Sequence, residues 1–180
     1  MLSLVAGDIM QRELPIRKTA RLCGYDYSQA GYYFVTICTK DKHEILGHIV
    51  GADDSVRPSV VKSQIGIIVE NSWHEINRVY ENVKAVKFCV MPNHIHGIIV
   101  IENTGGQSRP PLQKVIQGYK SVTTRMCFTM GCRQIWQRSY NDHVIRNESE
   151  YLKICQYIDK NPAQWEKDRY YTKQPNTYRR

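Results

Sequence analysis

The sequence predicts an α+β domain in which helices pack on a mainly antiparallel β-sheet. Three observations lead to this expectation: β-branched and aromatic runs typical of strands, long apolar stripes at helical spacing, and a two-residue connection between two adjacent strand patterns. With 180 residues, the chain is long enough for one domain with a substantial core. No apolar run approaches the roughly 20 residues that a membrane-spanning helix needs, so we expect a single domain and no membrane partner.

The sheet is expected to begin with Tyr32–Thr39, the β-branched and aromatic run YYFVTICT. Residues 40–57 are polar and predict a loop or a weak second strand. After Pro58 the pattern changes, and apolar side chains recur at steps of three and four residues. This stripe predicts an amphipathic helix, with its apolar face formed by Val61, Ile65, Ile68, Val69, Trp73 and Ile76.

Two further strands are expected at Ala85–Met91 and His94–Glu102. Only Pro92 and Asn93 separate them, which predicts a tight antiparallel hairpin. The composition of residues 103–111, with two glycines and two prolines, is typical of a flexible linker.

The second half of the chain is expected to be mainly helical. A helix should start near Leu112, with one face formed by Leu112, Val115, Ile116, Tyr119, Val122, Thr123 and Met126. Residues 135–146 mix aromatic, basic and polar side chains and are expected to be partly extended. The last helix should run from Asn147, which has capping-box spacing to Glu150, as far as Asn161. It should end there because Pro162 disfavours a helical residue before it.

The positive charge lies entirely in the second half of the chain. The net charge is +8, yet residues 1–102 hold 11 basic and 11 acidic side chains, whereas residues 103–180 hold 14 and 6. Such an excess suggests a polyanionic partner, although a solubilising surface explains it equally well. The six cysteines form no CxxC pair and predict reduced thiols in a cytoplasmic protein.

The run MPNHIHGIIVI places His94 and His96 on one face of a strand. Two histidines satisfied by protein partners are one explanation, but burying both is costly, and a metal ion is a natural partner for them. Two protein ligands leave coordination positions open, as a substrate-binding catalytic metal requires. Position 98 is Ile, which excludes a third alternating histidine, and there is no H-E-x-x-H motif.

The last helix carries a tyrosine at the border of its apolar stripe. Tyr157 lies at the edge of the stripe, where its hydroxyl could face a cleft. Asn161 follows one turn later and could supply an oxygen ligand to Mg²⁺ or Mn²⁺, and Lys153, one turn earlier, could meet a phosphate. Helix geometry alone favours an ordinary half-buried tyrosine. Tyr119, on the preceding helix, is a rival nucleophile, but it falls inside an apolar stripe and is interpreted as core.

Three blocks, GYDYSQAGYYFVTICT, VMPNHIHGIIVI and WQRSYNDHVIRNESEYLKICQYIDKNP, occur in an order that resembles the REP-associated tyrosine transposases. These belong to the single-tyrosine, His-hydrophobe-His class of single-strand DNA endonucleases and transposases. The resemblance spans about Arg17 to Trp165. It implies a ferredoxin-like sheet, a metal site at His94 and His96 that Asn161 completes, and Tyr157 as the nucleophile. It also implies a variable segment at residues 1–16, a catalytic domain at 17–165 and a basic tail at 166–180.

The activity implied by the resemblance is metal-dependent cleavage and rejoining of single-stranded DNA through a 5′-phosphotyrosine, with Mg²⁺ or Mn²⁺ as cofactor. The substrate would be single-stranded DNA, including hairpin or palindromic repeats, bound by a monomer or a homodimer. Two alternatives remain at this point: a non-catalytic nucleic-acid-binding module, and a metal-dependent hydrolase that uses water. Trp136 and Tyr140 are either stacking partners for the strand or core residues. The basic residues expected to bind DNA are Lys120, Arg125, Arg133, Arg138, Arg146 and Lys153.

Overall fold

The computed structural model describes residues 24–51, 57–103 and 110–172. These residues form six strands and three helices, followed by a 3₁₀ turn at Pro162–Lys167. The strands are β1 (Gly31–Cys38), β2 (Gly47–Val50), β3 (Ser59–Lys62), β4 (Val83–Met91), β5 (His94–Ile101) and β6 (Asn141–Ile145), and the helices are α1 (Gln64–Val79), α2 (Leu112–Phe128) and α3 (Glu148–Lys160).

The main sheet has the strand order β4-β5-β1-β6, and every neighbouring pair is antiparallel. Helix α1 lies in the chain between β1 and β4, and α2 lies between β5 and β6. This β-α-β-β-α-β arrangement confirms the predicted ferredoxin-like α+β fold. The expected hairpin is also present, because β4 and β5 pair from Met91 and His94 onward across the turn at Pro92 and Asn93.

The two faces of the sheet have different coverings. On one face, side chains such as Val35, Ile37 and Ile95 form the main core with apolar residues of α1 and α2. On the other face, a smaller apolar cluster joins Ile98 and Ile145 to Ile158 of α3. Since side chains alternate along a strand, His94, His96 and Ile98 all point to the α3 face. The functional side chains therefore lie between the sheet and the last helix.

Gly97 lets a large core side chain pack directly on the strand that carries the histidines. Its neighbour on the main core face is Trp73 of α1, which is fully buried. A Cβ atom added at Gly97 would lie 2.3 Å from Cζ2 of Trp73, far inside contact distance. Trp73 therefore requires glycine at this point of β5.

The helix expected directly after Pro58 begins later than predicted. Residues Ser59–Lys62 form β3, which pairs with β2, and Ser63 then caps α1 by accepting a hydrogen bond from the Gly66 backbone nitrogen. The assignment of Val61 to the helical stripe is therefore wrong, because Val61 lies in β3 and is 46% exposed. Since β3 and α1 follow one another directly, an apolar residue of the strand falls in step with the helical period.

Helices α2 and α3 begin where the sequence predicts, within one residue, but one face of α2 differs from expectation. Val122 and Met126 are exposed, whereas the other residues of the predicted stripe are buried. Asn147 caps α3 by accepting from the Glu150 backbone nitrogen, and the Glu150 carboxylate accepts from the Arg146 backbone nitrogen rather than from Asn147. Within the described residues, no helix is long and apolar enough to cross a membrane.

Some expectations fall on other parts of the chain. The variable segment 1–16, most of the linker at 104–109 and the end of the tail at 173–180 lie outside the described residues. Residues 166–172 of the predicted tail are described, and they pack against the functional face of the sheet.

Candidate active site

The two histidines converge on one point beneath α3. His94 is fully buried and His96 is 1% exposed. Their Nε2 atoms lie 3.0 Å apart, within hydrogen-bond distance. The Nδ1 atoms have separate partners: Asn93 Oδ1 lies 2.8 Å from Nδ1 of His94, and Thr36 Oγ1 lies 2.8 Å from Nδ1 of His96. A hydrogen bond at Nδ1 thus orients each ring, and the Nε2 atoms of the two rings face each other.

Burial keeps both imidazoles neutral. It lowers the pKa of His94 to about 3, with further contributions from the positive charges of Arg169 and Lys42. The pKa of His96 is held well below its ordinary value by burial and by the adjacent His94. A neutral imidazole has one ring nitrogen with a free lone pair, which is the form that binds a metal ion.

Tyr157 stands next to this histidine pair, at the edge of α3 as the helical pattern predicts. Its side chain is 38% exposed, and its ring packs edge-on against Phe34 and His96. The hydroxyl oxygen lies 3.3 Å from Nε2 of His96. Burial, the negative charge of Asp168 and the hydrogen bond to Asp168 raise the pKa of Tyr157 to about 12. The phenol therefore retains its proton at neutral pH and needs help to ionise.

Asn161 and Asp168 close the site on the side of Tyr157. Asn161 is buried, and its Oδ1 has no hydrogen-bond partner among the described residues. Its Nδ2 donates to Asp168 Oδ2 over 3.0 Å, and the Tyr157 hydroxyl donates to the same oxygen over 3.2 Å. Ligand atoms of Asp168, His94 and His96 all lie within 4.8 Å of one another.

These residues fit a divalent metal ion. Two neutral imidazoles and a carboxylate form a mixed nitrogen and oxygen donor set suited to Mn²⁺ and tolerated by Mg²⁺, and Asn161 contacts that carboxylate through its Nδ2. The unpartnered Oδ1 of Asn161 is the observation that favours a ligand most directly, because a buried amide oxygen without a partner is costly. The sequence patterns do not reveal Asp168, since it lies in the segment expected to be a tail.

Aromatic residues after α3 cover the histidines. The Tyr170 and Trp165 rings lie 4.8 Å and 5.9 Å from the His94 ring, centroid to centroid. Tyr170 is also held by hydrogen bonds, because its carbonyl accepts from Asn93 Nδ2 and its hydroxyl accepts from Asn141 Nδ2. This segment therefore contributes to the burial of the histidine rings.

The basic residues expected to bind DNA lie in three places. Lys120, Arg125 and Arg138 line an open groove beside the end of α2, together with the 59% exposed ring of Phe128. Arg133 is exposed in the loop between α2 and β6, whereas Arg146 and Lys153 are exposed around α3. Lys120 differs from the others because its Nζ donates to the backbone carbonyls of residues 137–139.

Other candidates lie away from the histidine pair. Trp136 is buried and donates to Thr123, so it belongs to the core, and it also contributes to the lining of the groove beside α2. Tyr119 is also buried, on the opposite face of the sheet, where its hydroxyl donates to the Val69 carbonyl. Of the two tyrosines considered as nucleophiles, only Tyr157 lies beside the histidines.

Comparisons with known proteins identify the family to which the chain belongs. An uncharacterized protein of Haemophilus influenzae is 34% identical over 173 residues, which cover 86% of this chain and 93% of that protein. A solved structure of a REP-associated tyrosine transposase bound to a REP hairpin has the same fold, with a TM-score of 0.57 at 20% identity, over 77% of this chain and 70% of that one. Residues 27–161 match the family described as "Transposase IS200 like". The resemblance found in the sequence is confirmed, and the chain belongs to the IS200-like transposase family.

Proposed function

We propose that this protein is a metal-dependent single-strand DNA endonuclease and transposase that cleaves and rejoins DNA through Tyr157. The observation that carries the proposal is the position of the Tyr157 hydroxyl, 3.3 Å from His96 Nε2 and 3.2 Å from Asp168 Oδ2. A nucleophile, a pair of metal-binding imidazoles and a proton acceptor are thereby within contact of one another. These are the groups that phosphodiester transfer requires.

The metal site is proposed to use Nε2 of His94 and of His96, with Asn161 Oδ1 and the Asp168 carboxylate as oxygen donors. Because two of these donors are oxygens, Mg²⁺ and Mn²⁺ are the expected ions. When bound, such an ion polarises the scissile phosphate and stabilises the charge that develops on it.

The reaction begins with ionisation of Tyr157. Its proton passes to Asp168 Oδ2, which already accepts the phenolic hydrogen bond. The phenolate oxygen attacks phosphorus and forms a 5′-phosphotyrosine bond, while the bond to the 3′ oxygen breaks. That oxygen takes up a proton from water, and Asp168 returns its proton to the solvent, so no net proton is consumed. One phosphodiester replaces another, so a second 3′-hydroxyl can reverse the reaction and rejoin the strand without ATP.

Single-stranded DNA is the proposed substrate because the site is deep. Both histidines are buried between the sheet and α3, and a flexible backbone reaches such a position more readily than a rigid duplex. One solved structure of similar fold, a REP-associated tyrosine transposase, is bound to a REP hairpin. We infer that hairpin or palindromic DNA is a partner of this chain too, bound next to the single strand that is cleaved.

The groove beside α2 is proposed as part of the DNA surface. Arg125 and Arg138 bring positive charge to it, and the exposed Phe128 ring offers a base a stacking surface. Gln137, which also lines the groove, donates from its backbone nitrogen to the Cys38 carbonyl. Because Cys38 pairs with His94 across β1 and β5, the groove borders the site. Arg133, next to the groove residue Gln134, is proposed to contact the strand beside this groove, and Arg146 and Lys153 are proposed to contact it near α3.

The catalytic domain is proposed to extend beyond residue 165, because Asp168 and Tyr170 both contact site residues. A monomer and a homodimer are both compatible with the site, since all the groups named come from one chain. The cytoplasm is the proposed location, because it contains the DNA substrate and keeps thiols reduced.

The test is to trap the covalent intermediate. Labelled single-stranded oligonucleotides, including hairpins with single-stranded flanks, are incubated with the protein and Mn²⁺, Mg²⁺ or EDTA and then denatured. We expect an adduct that survives denaturant, requires the metal and is lost in His94→Ala. Cleavage without an adduct would support the hydrolase alternative, whereas binding without cleavage under all these conditions would support the non-catalytic module.

A further inference from the structure

We propose that Thr36 and Asn93 are positioning residues, which hold the His96 and His94 rings so that both Nε2 lone pairs can face one metal ion. The inference rests on the proposed metal site and deepens it. Neither residue reaches the shared point between the histidines; each acts through the Nδ1 atom behind it. The hydrogen-bonding capacities of the two side chains differ, and that difference assigns them different tasks.

Asn93 fixes the tautomer of His94. Its Nδ2 donates to the Tyr170 carbonyl over 2.9 Å. Because a carbonyl can only accept, this contact assigns the nitrogen and the oxygen of the Asn93 amide. Asn93 Oδ1 therefore faces Nδ1 of His94 at 2.8 Å. Because an amide oxygen can only accept, Nδ1 must carry the hydrogen. Nε2 of the neutral His94 ring is then left with its lone pair.

Thr36, unlike Asn93, is compatible with either tautomer of its histidine, His96. Nε2 of His94 accepts across the 3.0 Å contact, so the hydrogen in that contact belongs to Nε2 of His96. Nδ1 of His96 then has a lone pair and accepts from the Thr36 hydroxyl at 2.8 Å. To present its own Nε2 lone pair to a metal, His96 must instead carry its hydrogen on Nδ1.

A hydroxyl accommodates that change, because it can donate or accept by rotating about one bond. In the metal-binding arrangement, Nδ1–H of His96 donates to Thr36 Oγ1 and the ring does not need to turn. The number of protons on the ring is unchanged; only their position differs. Asn93 thus locks one histidine, whereas Thr36 lets the other exchange tautomers in place.

The backbone makes both contacts specific. Thr36 is the register partner of His96 on the neighbouring strand β1, so its side chain lies beside the imidazole on the same face. Asn93 ends the two-residue turn before His94, and its carbonyl oxygen accepts from the Thr39 backbone nitrogen and hydroxyl. Both residues are buried, with no more than 1% exposure. Neither hydrogen bond has water as a ready substitute.

The first experiment reads the tautomers directly. Two-bond ¹⁵N–¹H correlation spectra of the histidine side chains are recorded in EDTA for the wild type, Thr36→Val and Thr36→Ser. We expect the wild type and Thr36→Ser to show Nδ1–H at His94 and Nε2–H at His96. In Thr36→Val, Nδ1 of His96 loses its donor, so its ¹⁵N shift should move toward that of a nitrogen without a hydrogen bond. Identical shifts in all three proteins would overturn the role of Thr36.

The second experiment measures Mn²⁺ affinity by calorimetry. Removing a group that orients a metal-binding histidine typically weakens metal binding about 10–100-fold. We expect a loss of about that size in Thr36→Val and Asn93→Leu, and an affinity close to wild type in Thr36→Ser. The matched control is Thr123→Val, which removes a buried hydroxyl on the other face of the sheet, where it accepts from Trp136.

The outcomes distinguish failure of the proposed metal site from failure of the positioning role of Thr36 and Asn93. Failure of the wild type to bind Mn²⁺, or equal binding by His94→Ala, would overturn the proposed metal site, and the spectra would still show which tautomer each histidine has and whether Thr36 hydrogen-bonds to Nδ1 of His96. Metal binding that is weakened equally in Thr36→Val and Thr123→Val would mean that Thr36 acts through stability alone. If Thr36→Val and Asn93→Leu, shown to be folded by thermal melting, bind Mn²⁺ like the wild type, the positioning role is wrong.

Discussion

The Tyr157 hydroxyl lies 3.3 Å from Nε2 of His96, although the two residues are 61 positions apart in the sequence. The contact depends on α3 packing over the face of the sheet that β5 shares with β1. Ile158, the neighbour of Tyr157, anchors the helix against Ile98, which lies two residues after His96. The packing of Ile158 therefore also brings Tyr157, the proposed nucleophile, to the histidines.

Tyr157→Phe is expected to abolish both cleavage and the covalent adduct. Phenylalanine keeps the ring that packs against Phe34 and His96 but has no oxygen to attack phosphorus. Fold and DNA affinity should be retained, as measured by thermal unfolding and by fluorescence anisotropy on labelled single strands.

Tyr119→Phe is the matched control, because it removes the same atom from a buried tyrosine on the opposite face. It should keep the adduct and reduce stability by about 1 kcal/mol, because the hydrogen bond to the Val69 carbonyl is removed. An adduct that depends on Tyr119 and not on Tyr157 would move the chemistry to α2.

The elements of the sheet and the site histidines could be predicted from sequence because their signals are local. His94 and His96 are two residues apart on one strand, and Asn161 follows Tyr157 by one helical turn. The spacing alone places each pair on a common face. The resemblance to known transposases then joined the two pairs into one site.

The remaining site residues have no such local signal. Asp168 and Tyr170 follow the 3₁₀ turn at Pro162–Lys167, and Tyr170 contacts Asn93 from 77 positions away. Thr36 becomes visible only through the register of β1 and β5, which a single strand pattern does not reveal. Val61 shows the converse problem, since a strand residue next to a helix can match the helical period by chance.

Acid should destabilise the protein through the buried histidines. The pKa of His94 is lowered to about 3 in the folded chain, against roughly 6.5 when unfolded. Between these values the unfolded state binds the extra proton, so stability is fully present above a pH of about 6.5 and is lost as the pH falls toward 3. The upper limit is about 1.4 kcal/mol per pH unit for each such histidine.

Urea unfolding at pH 7, 6 and 5 measures this effect. The wild type should lose stability over this range, and the double variant His94→Gln, His96→Gln should lose clearly less, because it lacks both titrating groups. His74→Gln, at an exposed position on α1, is the control and should behave like the wild type. Equal pH dependence in the wild type and the double variant would contradict the burial argument.

Neutralising the exposed arginines near α2 should weaken DNA binding. Replacing Arg125, Arg133 and Arg138 with glutamine removes three positive charges from exposed positions. For each phosphate on a single strand that is no longer neutralised, the slope of log affinity against log salt should become shallower by about 0.7. Fluorescence anisotropy over a series of salt concentrations gives both the affinity and the slope.

A double variant elsewhere on the surface provides the comparison. Arg78 and Lys84 belong to the half of the chain without excess charge, and their replacement with glutamine should leave the slope nearly unchanged. Equal slopes for the two variants would count against the surface beside α2. Lys120 is left out of the test because its ammonium group holds backbone carbonyls, so its replacement would also disturb the fold.

Gly97→Ala should destabilise the fold. The added methyl group would lie 2.3 Å from the Trp73 ring, which must shift within a closely packed core. Overpacking of this kind typically costs about 1–3 kcal/mol. Thermal and urea unfolding should show this decrease in stability.

Gly31→Ala is the control for the added methyl group. It also lies on a strand of the main sheet, but a Cβ atom there would approach nothing closer than the Tyr33 hydroxyl at 3.7 Å, an ordinary contact distance. This variant should therefore show no overpacking cost. A fully stable Gly97→Ala variant would contradict the close packing of Trp73 on β5.

Asp168→Asn tests what the carboxylate near Tyr157 does. Asp168 Oδ2 accepts from the Tyr157 hydroxyl and the Asn161 amide, while Oδ1 accepts from the Tyr170 backbone nitrogen. The substitution keeps the size of the side chain, removes its charge and replaces one acceptor oxygen with a donor. If Asp168 is a metal ligand, Mn²⁺ affinity should fall about tenfold or more. Adduct formation at saturating Mn²⁺ should also slow, because the proton acceptor of Tyr157 is gone.

The two measurements distinguish the possible roles of Asp168. If the carboxylate accepts the proton without binding the metal, the adduct should form more slowly while Mn²⁺ affinity stays unchanged. Asp159→Asn removes an exposed carboxylate paired with Lys87 on the same side of the sheet, so it controls for general loss of charge and should change neither quantity. Wild-type Mn²⁺ affinity together with a wild-type adduct rate in Asp168→Asn would exclude Asp168 from the reaction and leave it only the role of holding Tyr170 over His94.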